Sequence, residues 1–161
     1  MTNQDNTYTP IRALQRMLAA GTLKLTVGAT STEIFTRDET DGLNCRLTYF
    51  QISDKTVYSA VTFLQAVREG KLCLHIGYDV DEAFRGGRGK KIVALAITEV
   101  QHFMASEGIQ EFFIEAFIDK TNIASQHVAE ATISPTPIST ESDPLVYVRY
   151  FGPISQTDLG S

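Results

Sequence analysis

A chain of 161 residues with 43% hydrophobic and 20% charged side chains has material for one domain around one buried core, and is short for two. Its net charge of −5 and pI near 5.1 argue against nucleic acid and anionic membrane as partners, since both are held through summed basic charge, and suit a cationic amine. Cys45 and Cys73 are too few for a disulfide framework, the polar stretch Met1 to Asn6 lacks a signal core, and no apolar run approaches the roughly 20 residues of a membrane span, so a soluble cytoplasmic protein is expected.

Thr9-Pro10 followed by Ile11, Leu14 and Leu18, and closed by Gly21, predicts a short amphipathic helix. Residues 23–27 and 44–52 alternate apolar with polar side chains, and Asp38-Glu39-Thr40-Asp41-Gly42 supplies turn chemistry before the second, so both read as antiparallel strands. In 57–67, Val57, Ala60, Val61 and Leu64 fall at helical spacing, yet the stretch is rich in β-branched and aromatic residues, and Arg68 stands where an apolar helix face would continue. It reads as a strand that turns through Arg68-Glu69-Gly70-Lys71 into another over 72–80. In that second strand Leu72, Leu74, Ile76, Tyr78 and Val80 share one face, while Cys73, His75, Gly77 and Asp79 share the other.

Between 90 and 107, Val93, Ile97, Val100 and Met104 recur at helical spacing ahead of Gly108, which predicts a helix and its stop. Residues 109–119 are apolar on both faces through Phe112, Phe113, Ile114, Phe117 and Ile118, as in a central strand. Thr121-Asn122 caps a helix running to about residue 131. Pro135, Pro137 and Pro144 make 133–144 an edge strand or a loop, and 145–151 reads as the closing strand. Residues 1–155 are expected to form a single domain, with 156–161 a flexible tail.

Arg85-Gly86-Gly87-Arg88-Gly89-Lys90-Lys91 lies between a strand and a helix, where unpaired amides and the positive end of the helix dipole face outward. Glycines let backbone approach an anion, and four cationic side chains add charge in an otherwise acidic protein. A Walker A loop is excluded, because Phe84 stands where its first glycine belongs and Lys91 where it needs Ser or Thr; the dinucleotide fingerprint fails at Ile92. Taken alone, the loop reads equally as a phosphate cradle or as a solvated basic turn.

With these residues in view, Ile76-Gly77-Tyr78-Asp79-Val80-Asp81-Glu82-Ala83-Phe84-Arg85-Gly86 resembles the strand and loop that open the acetyl-CoA site of GNAT N-acetyltransferases. Asn122-Ile123-Ala124-Ser125-Gln126-His127-Val128-Ala129-Glu130 resembles the helix after their fifth strand, most like the Rim-type N-terminal acetyltransferases. The resemblance covers roughly residues 56–151. It implies the GNAT acyl-CoA N-acyltransferase fold, an α/β (α+β) arrangement whose mixed, mostly antiparallel central sheet is flanked by helices, with two neighbouring parallel strands splayed at the cofactor site.

It also implies roles. Acetyl-CoA would lie against Val80, Arg85, Gly86, Gly87, Arg88, Gly89, Lys90, Lys91, Asn122 and Ser125, with Ser125 near the sulfur as general acid for the departing thiolate. His75 stands where many relatives carry an acidic residue and would draw the proton from the amine, directly or through water, with Glu115 and Tyr78 in reserve. The bland alternatives are that Asn122 and Ser125 cap a helix, that His75 is a packed histidine, and that Tyr147 and Tyr150 are core or surface aromatics. Cys45, Cys73 and His75 lack a fourth ligand for zinc, so no metal is expected.

The family motif is Gln/Arg-x-x-Gly-x-Gly/Ala. Starting it at Arg85 puts Arg88 and Lys90 where small residues belong; starting it at Arg88 puts Lys91 and Val93 there. Many relatives also carry a tyrosine where this chain has Ala129. Two functions therefore stand side by side: transfer of an acetyl group from acetyl-CoA to a primary amine (a protein N-terminus, a lysine or a small amine), or a GNAT-like domain that binds CoA or a protein partner without turnover. The sequence leaves the oligomeric state open, a homodimer included.

Overall fold

Proline presets the helical φ and gives up no amide at a first position, so α1 (Pro10–Ala19) starts on Pro10 and buries Ile11 and Leu14. Thr9, which precedes this helix, and the tail expected at 156–161 lie outside the described residues: the computed structural model describes residues 10–42, 44–81 and 86–153. Among the described residues, seven strands form one sheet whose spatial order is the chain order: β1 (Thr26–Val27), β2 (Phe35–Asp38), β3 (Arg46–Ser53), β4 (Thr56–Arg68), β5 (Lys71–Val80), β6 (Phe112–Ile118) and β7 (Leu145–Phe151). α2 (Arg88–Ser106) joins β5 to β6, and α3 (Ile123–Thr132) joins β6 to β7. Every neighbouring pair is antiparallel except β5 and β6, which are parallel because the chain crosses over through α2 between them. This is the mixed, mostly antiparallel sheet with flanking helices that the resemblance implied.

Two tight turns set the register of the long strands. Asp54 and Lys55 (φ 52° and 65°) join β3 to β4, and Glu69 and Gly70 (φ 53° and 72°) join β4 to β5, both residues of each pair being left-handed as a two-residue hairpin requires. Alternation then sends Leu74, Ile76 and Val80 into the main core with Ile92, Val93, Ala96, Ile97, Val100 and Met104 of α2. On the opposite face α1 packs with Phe50, Val57 and Ala60 in a smaller cluster.

Several boundaries differ from the sequence reading. β1 is only two residues long; Leu23 packs against the cluster under α1, while Leu25 and Val27 remain half exposed, so the alternation over 23–27 buries its first apolar residue alone. β2 has no counterpart in that reading: it is held by its pairing to β3 and by Phe35 stacked on Phe50 at 5.6 Å, neither of which is local. α2 starts at Arg88 rather than 90, so Arg88 and Gly89 are helical, and Glu107 and Gly108 (φ 75°) end it. The stretch 133–144 is a loop, with Ile138 N–H donating to the Val146 carbonyl and a cis Asp143–Pro144 bond before β7.

One buried carboxylate ties α2 to the loop after β1. Glu99, 3% exposed, accepts hydrogen bonds from Ala29 N–H (2.9 Å), Thr30 N–H (2.7 Å), the Thr30 hydroxyl (2.7 Å) and Ser31 N–H (3.0 Å). Burial alone would push this carboxyl up; the bonds from Thr30, Ala29 and Ser31 outweigh it and hold the group below its ordinary value. A Cβ on Gly28 would collide with Glu99 Oε1 and lie 2.7 Å from the Ser31 carbonyl oxygen, so only glycine fits there. Among the described residues, no helix is long and apolar enough to cross a membrane.

Candidate functional site

The parallel pair β5–β6 is bonded over three register pairs, Cys73↔Phe113, Leu74↔Ile114 and His75↔Glu115, and then diverges. Each strand keeps its other neighbour throughout: β5 pairs with β4 up to Val80, and β6 with β7 up to Ile118. The inner edges of β5 from Ile76 and of β6 from Ala116 thus face each other across a fork outside the sheet ladder. The splay that the resemblance implied is present, and His75 and Glu115 stand at its crotch.

On the α1 side of the fork, the strand alternation brings together Cys73, His75 and Glu115, and Arg68 reaches them from the end of β4. Glu115 is 6% exposed. Its Oε2 accepts from Arg68 Nε at 3.1 Å and Nη2 at 2.9 Å, while its Oε1 lies 3.6 Å from His75 Nδ1. The His75 ring meets Phe117 edge-on at 4.8 Å. Burial lowers the His75 pKa from 6.5 and the Glu115 charge opposes that, so the imidazole is neutral near pH 7. Burial, then Glu115, pushes the Cys73 thiol up to about 11, which keeps it a protonated, unreactive filler. Sequence reasoning named His75 and Glu115 separately and missed Arg68, whose partner is 47 residues away.

On the opposite side, Tyr78 of β5 and Ser125 of α3 meet across the cleft: the Tyr78 hydroxyl donates to Ser125 Oγ at 3.1 Å. Ser125 is buried, and its own N–H donates to Asn122 Oδ1 at 3.1 Å, so the Asn122 side chain serves as the N-cap of α3. Ile76, Tyr78, Ala116, Ile118, Ser125 and Ala129 help line a cavity of about 10 Å³ here, room for about one water molecule. Gly89, in the first turn of α2, lies under the Tyr78 ring, and a Cβ there would come to 3.3 Å from it. Tyr147 is fully buried in the core, and Tyr150, half exposed, donates to Glu111 at 2.8 Å on the far edge of β6–β7.

The start of α2 is built on Gly86 (φ 116°) and Gly87 (φ 81°), backbone that side-chain-bearing residues rarely adopt. Gly87 is the N-cap and makes no side-chain cap bond, and the first turn contains no acidic residue, which leaves the amides of Arg88, Gly89 and Lys90 at the positive end of a 19-residue helix. Arg88 lies over the Tyr58 ring at 5.4 Å and Lys91 pairs with Glu33 at 3.0 Å, so the charge of this turn is partly engaged with the sheet side; Lys90 is exposed. Val80 ends β5 in the core. Arg85 lies outside the described residues. Among the described residues, no group of three or more His, Cys, Asp or Glu is placed to hold a metal ion.

No family model and no curated protein matches this chain. Solved structures of GNAT acetyltransferases are similar to it in shape. The ribosomal-protein-S5-alanine acetyltransferase from Vibrio fischeri is 13% identical with a TM-score of 0.46, over 66% of this chain and 61% of that one. An acetyltransferase of the GNAT family from Streptococcus pneumoniae is 15% identical with a TM-score of 0.44, over 64% of each chain. AtaTR bound with acetyl-CoA is 14% identical with a TM-score of 0.48, over 74% of this chain and 94% of that one. The chain thus spans about three-fifths of the length of the first of these.

Proposed function

We propose that this chain is an N-acetyltransferase that moves an acetyl group from acetyl-CoA to a primary amine by direct attack. The observation that carries the reading is the fork itself: a parallel pair bonded for three residues, with a neutral imidazole and a carboxylate at its crotch on one face and a buried serine hydroxyl across the cleft on the other. Acetyl-CoA supplies an activated thioester carbonyl. The amides of Arg88, Gly89 and Lys90 suit its phosphates, as do Gly86 and Gly87 beside them and the Lys90 and Lys91 side chains. Val80 and the inner edges of the fork suit its amide-rich arm. His75 takes the proton from the amine and Ser125 delivers one to the leaving sulfur. Asn122 fixes Ser125 through the cap rather than by touching the donor.

The acceptor is a primary amine of a protein N-terminus, a lysine or a small molecule; the acidic chain favours a cationic one. The second reading, a domain that binds CoA or a protein partner without turnover, is favoured by one observation: Tyr78 and Ser125 are bonded across a cleft with room for about one water, so the arm must displace Tyr78 to enter.

Thermal unfolding with and without millimolar acetyl-CoA tests the binding step. At about 100 times Kd the ligand adds roughly 2.7 kcal/mol, which raises the midpoint of a chain this size by about 5–10 °C. No rise sinks the acetyl-CoA reading. Given a rise, turnover on a panel of amines follows, and Ser125→Ala should lower kcat by roughly 10²–10⁴-fold while acetyl-CoA still binds; a wild type that binds the donor and acetylates nothing favours the second reading.

A further inference from the structure

We infer that Arg68 is a positioning residue: its guanidinium fixes the Glu115 carboxylate so that Oε1 faces His75 Nδ1, which leaves His75 Nε2 as the proton-accepting nitrogen. The inference rests on the proposed acetyl transfer for its consequence in catalysis, but on geometry alone for the arrangement.

A buried carboxylate must be paired, and Glu115 is paired asymmetrically: Arg68 spends both Nε and Nη2 on Oε2. Oε1 faces the imidazole at 3.6 Å, with the Cys73 thiol also beside the carboxylate, and such a separation tightens readily when a site fills. A neutral imidazole carries one N–H, and a carboxylate beside Nδ1 draws it there, so the lone pair stays on Nε2. The edge contact with Phe117 holds the ring plane. Arg68 is able to do this because it is the last residue of β4, paired with Lys71 across the turn, and so can extend past the small Cys73 thiol to the third strand of the face. The titratable and charged groups on the elements around His75 are Tyr58 and Arg68 from β4, Lys71, Cys73, Tyr78 and Asp79 from β5 itself, Glu115 from β6, and Arg46 and Tyr49 from β3, while α1, which packs on β4 and β5, carries Arg12 and Arg16; Lys71, on the His75 face, is paired with Glu111 at 2.7 Å. Of these, Glu115 and Arg68 are the pair in contact with one another at the ring.

Nitrogen chemical shifts of the imidazoles in the ligand-free protein test the arrangement; the chain has three histidines, so assignment needs only His75→Gln. The wild type should show His75 protonated on Nδ1 above its pKa, Arg68→Gln a mixture of tautomers, and Arg68→Lys partial restoration. The titration of His75 should rise in Arg68→Gln, where the Glu115 charge is no longer offset, and fall in Glu115→Gln, where it is gone; a mere brace between strands would move neither in this pattern. In turnover, Arg68→Gln should lower kcat on the order of tenfold, within the contribution of one general base, with KM for the amine unchanged. A wild-type ring already mixed in tautomer, or one that neither variant alters, overturns the inference whatever the turnover. The predicted shifts in a protein that acetylates nothing uphold the arrangement and overturn the proposed reaction instead.

Discussion

Replacing Glu99 by glutamine keeps the size of the side chain and removes its charge from a site built entirely of donors. Three of the four bonds fall on Oε1 and one on Oε2. A glutamine oxygen in the Oε1 position keeps three of them as neutral bonds, each weaker by about 1 kcal/mol, and turns its NH2 toward Ala29 N–H, so that the fourth becomes a donor facing a donor at a cost of about 1–3 kcal/mol. Bonds that share one site do not add fully, which brings the expected loss to about 3–5 kcal/mol, a large part of the roughly 5–15 kcal/mol that holds a domain together. The unfolding midpoint should fall by about 6–20 °C. The pH dependence follows from the depressed carboxyl: the contribution is present in full above its ordinary value of 4.5 and is lost as pH falls through the lower folded value, so the wild-type and Glu99→Gln curves should converge in acid. Calorimetric melts at neutral and acidic pH read both. A loss below about 1 kcal/mol at neutral pH, or a gap that widens on acidification, refutes the anchoring role.

Tyr78→Phe removes the bond to Ser125 and keeps the ring over Gly89; if that bond holds the cleft closed, acetyl-CoA should bind about 2–10-fold more tightly by titration calorimetry, and unchanged or weaker binding counts against it. Asn122→Ala removes the cap of α3 and frees the Ser125 amide, at a cost of about 1 kcal/mol in a urea titration; the same variant stabilised or unaffected would show the cap to be idle.

The parts of the fold that could be read from the chain are those whose partners are supplied by periodicity. α2 was legible because Val93, Ile97, Val100 and Met104 recur every turn and all are buried, and β5 because its alternation sends Leu74 and Ile76 to one core. The Asn122 cap was legible because its partner is three residues on. β2 was not, since it is made by β3 rather than by its own four residues. The start of α2 was missed because its cap is a glycine with no side chain, and because Gly89, a poor helix former, is kept in the first turn by the room the Tyr78 ring needs. The site was legible residue by residue and illegible as an assembly: His75, Glu115 and Ser125 were named, but which oxygen of Glu115 faces the imidazole depends on a parallel register and on Arg68, and no local pattern carries either.

The coincidence of spatial and chain order has a consequence for assembly. The meander β1–β5 closes by hairpins and short connections between chain neighbours, and β6–β7 packs as a second leaf around α3. The seam between the leaves is different, because Cys73 and Phe113 must meet across on the order of 40 residues, and such closures come late and at greater entropic cost. The two leaves share three paired positions in the sheet and one core beneath it, and the mouth of the proposed site opens where that pairing ends. A molecule wedged there would staple both leaves, so its binding is expected to appear as slowed amide exchange along the seam while the hairpins on either side exchange as before.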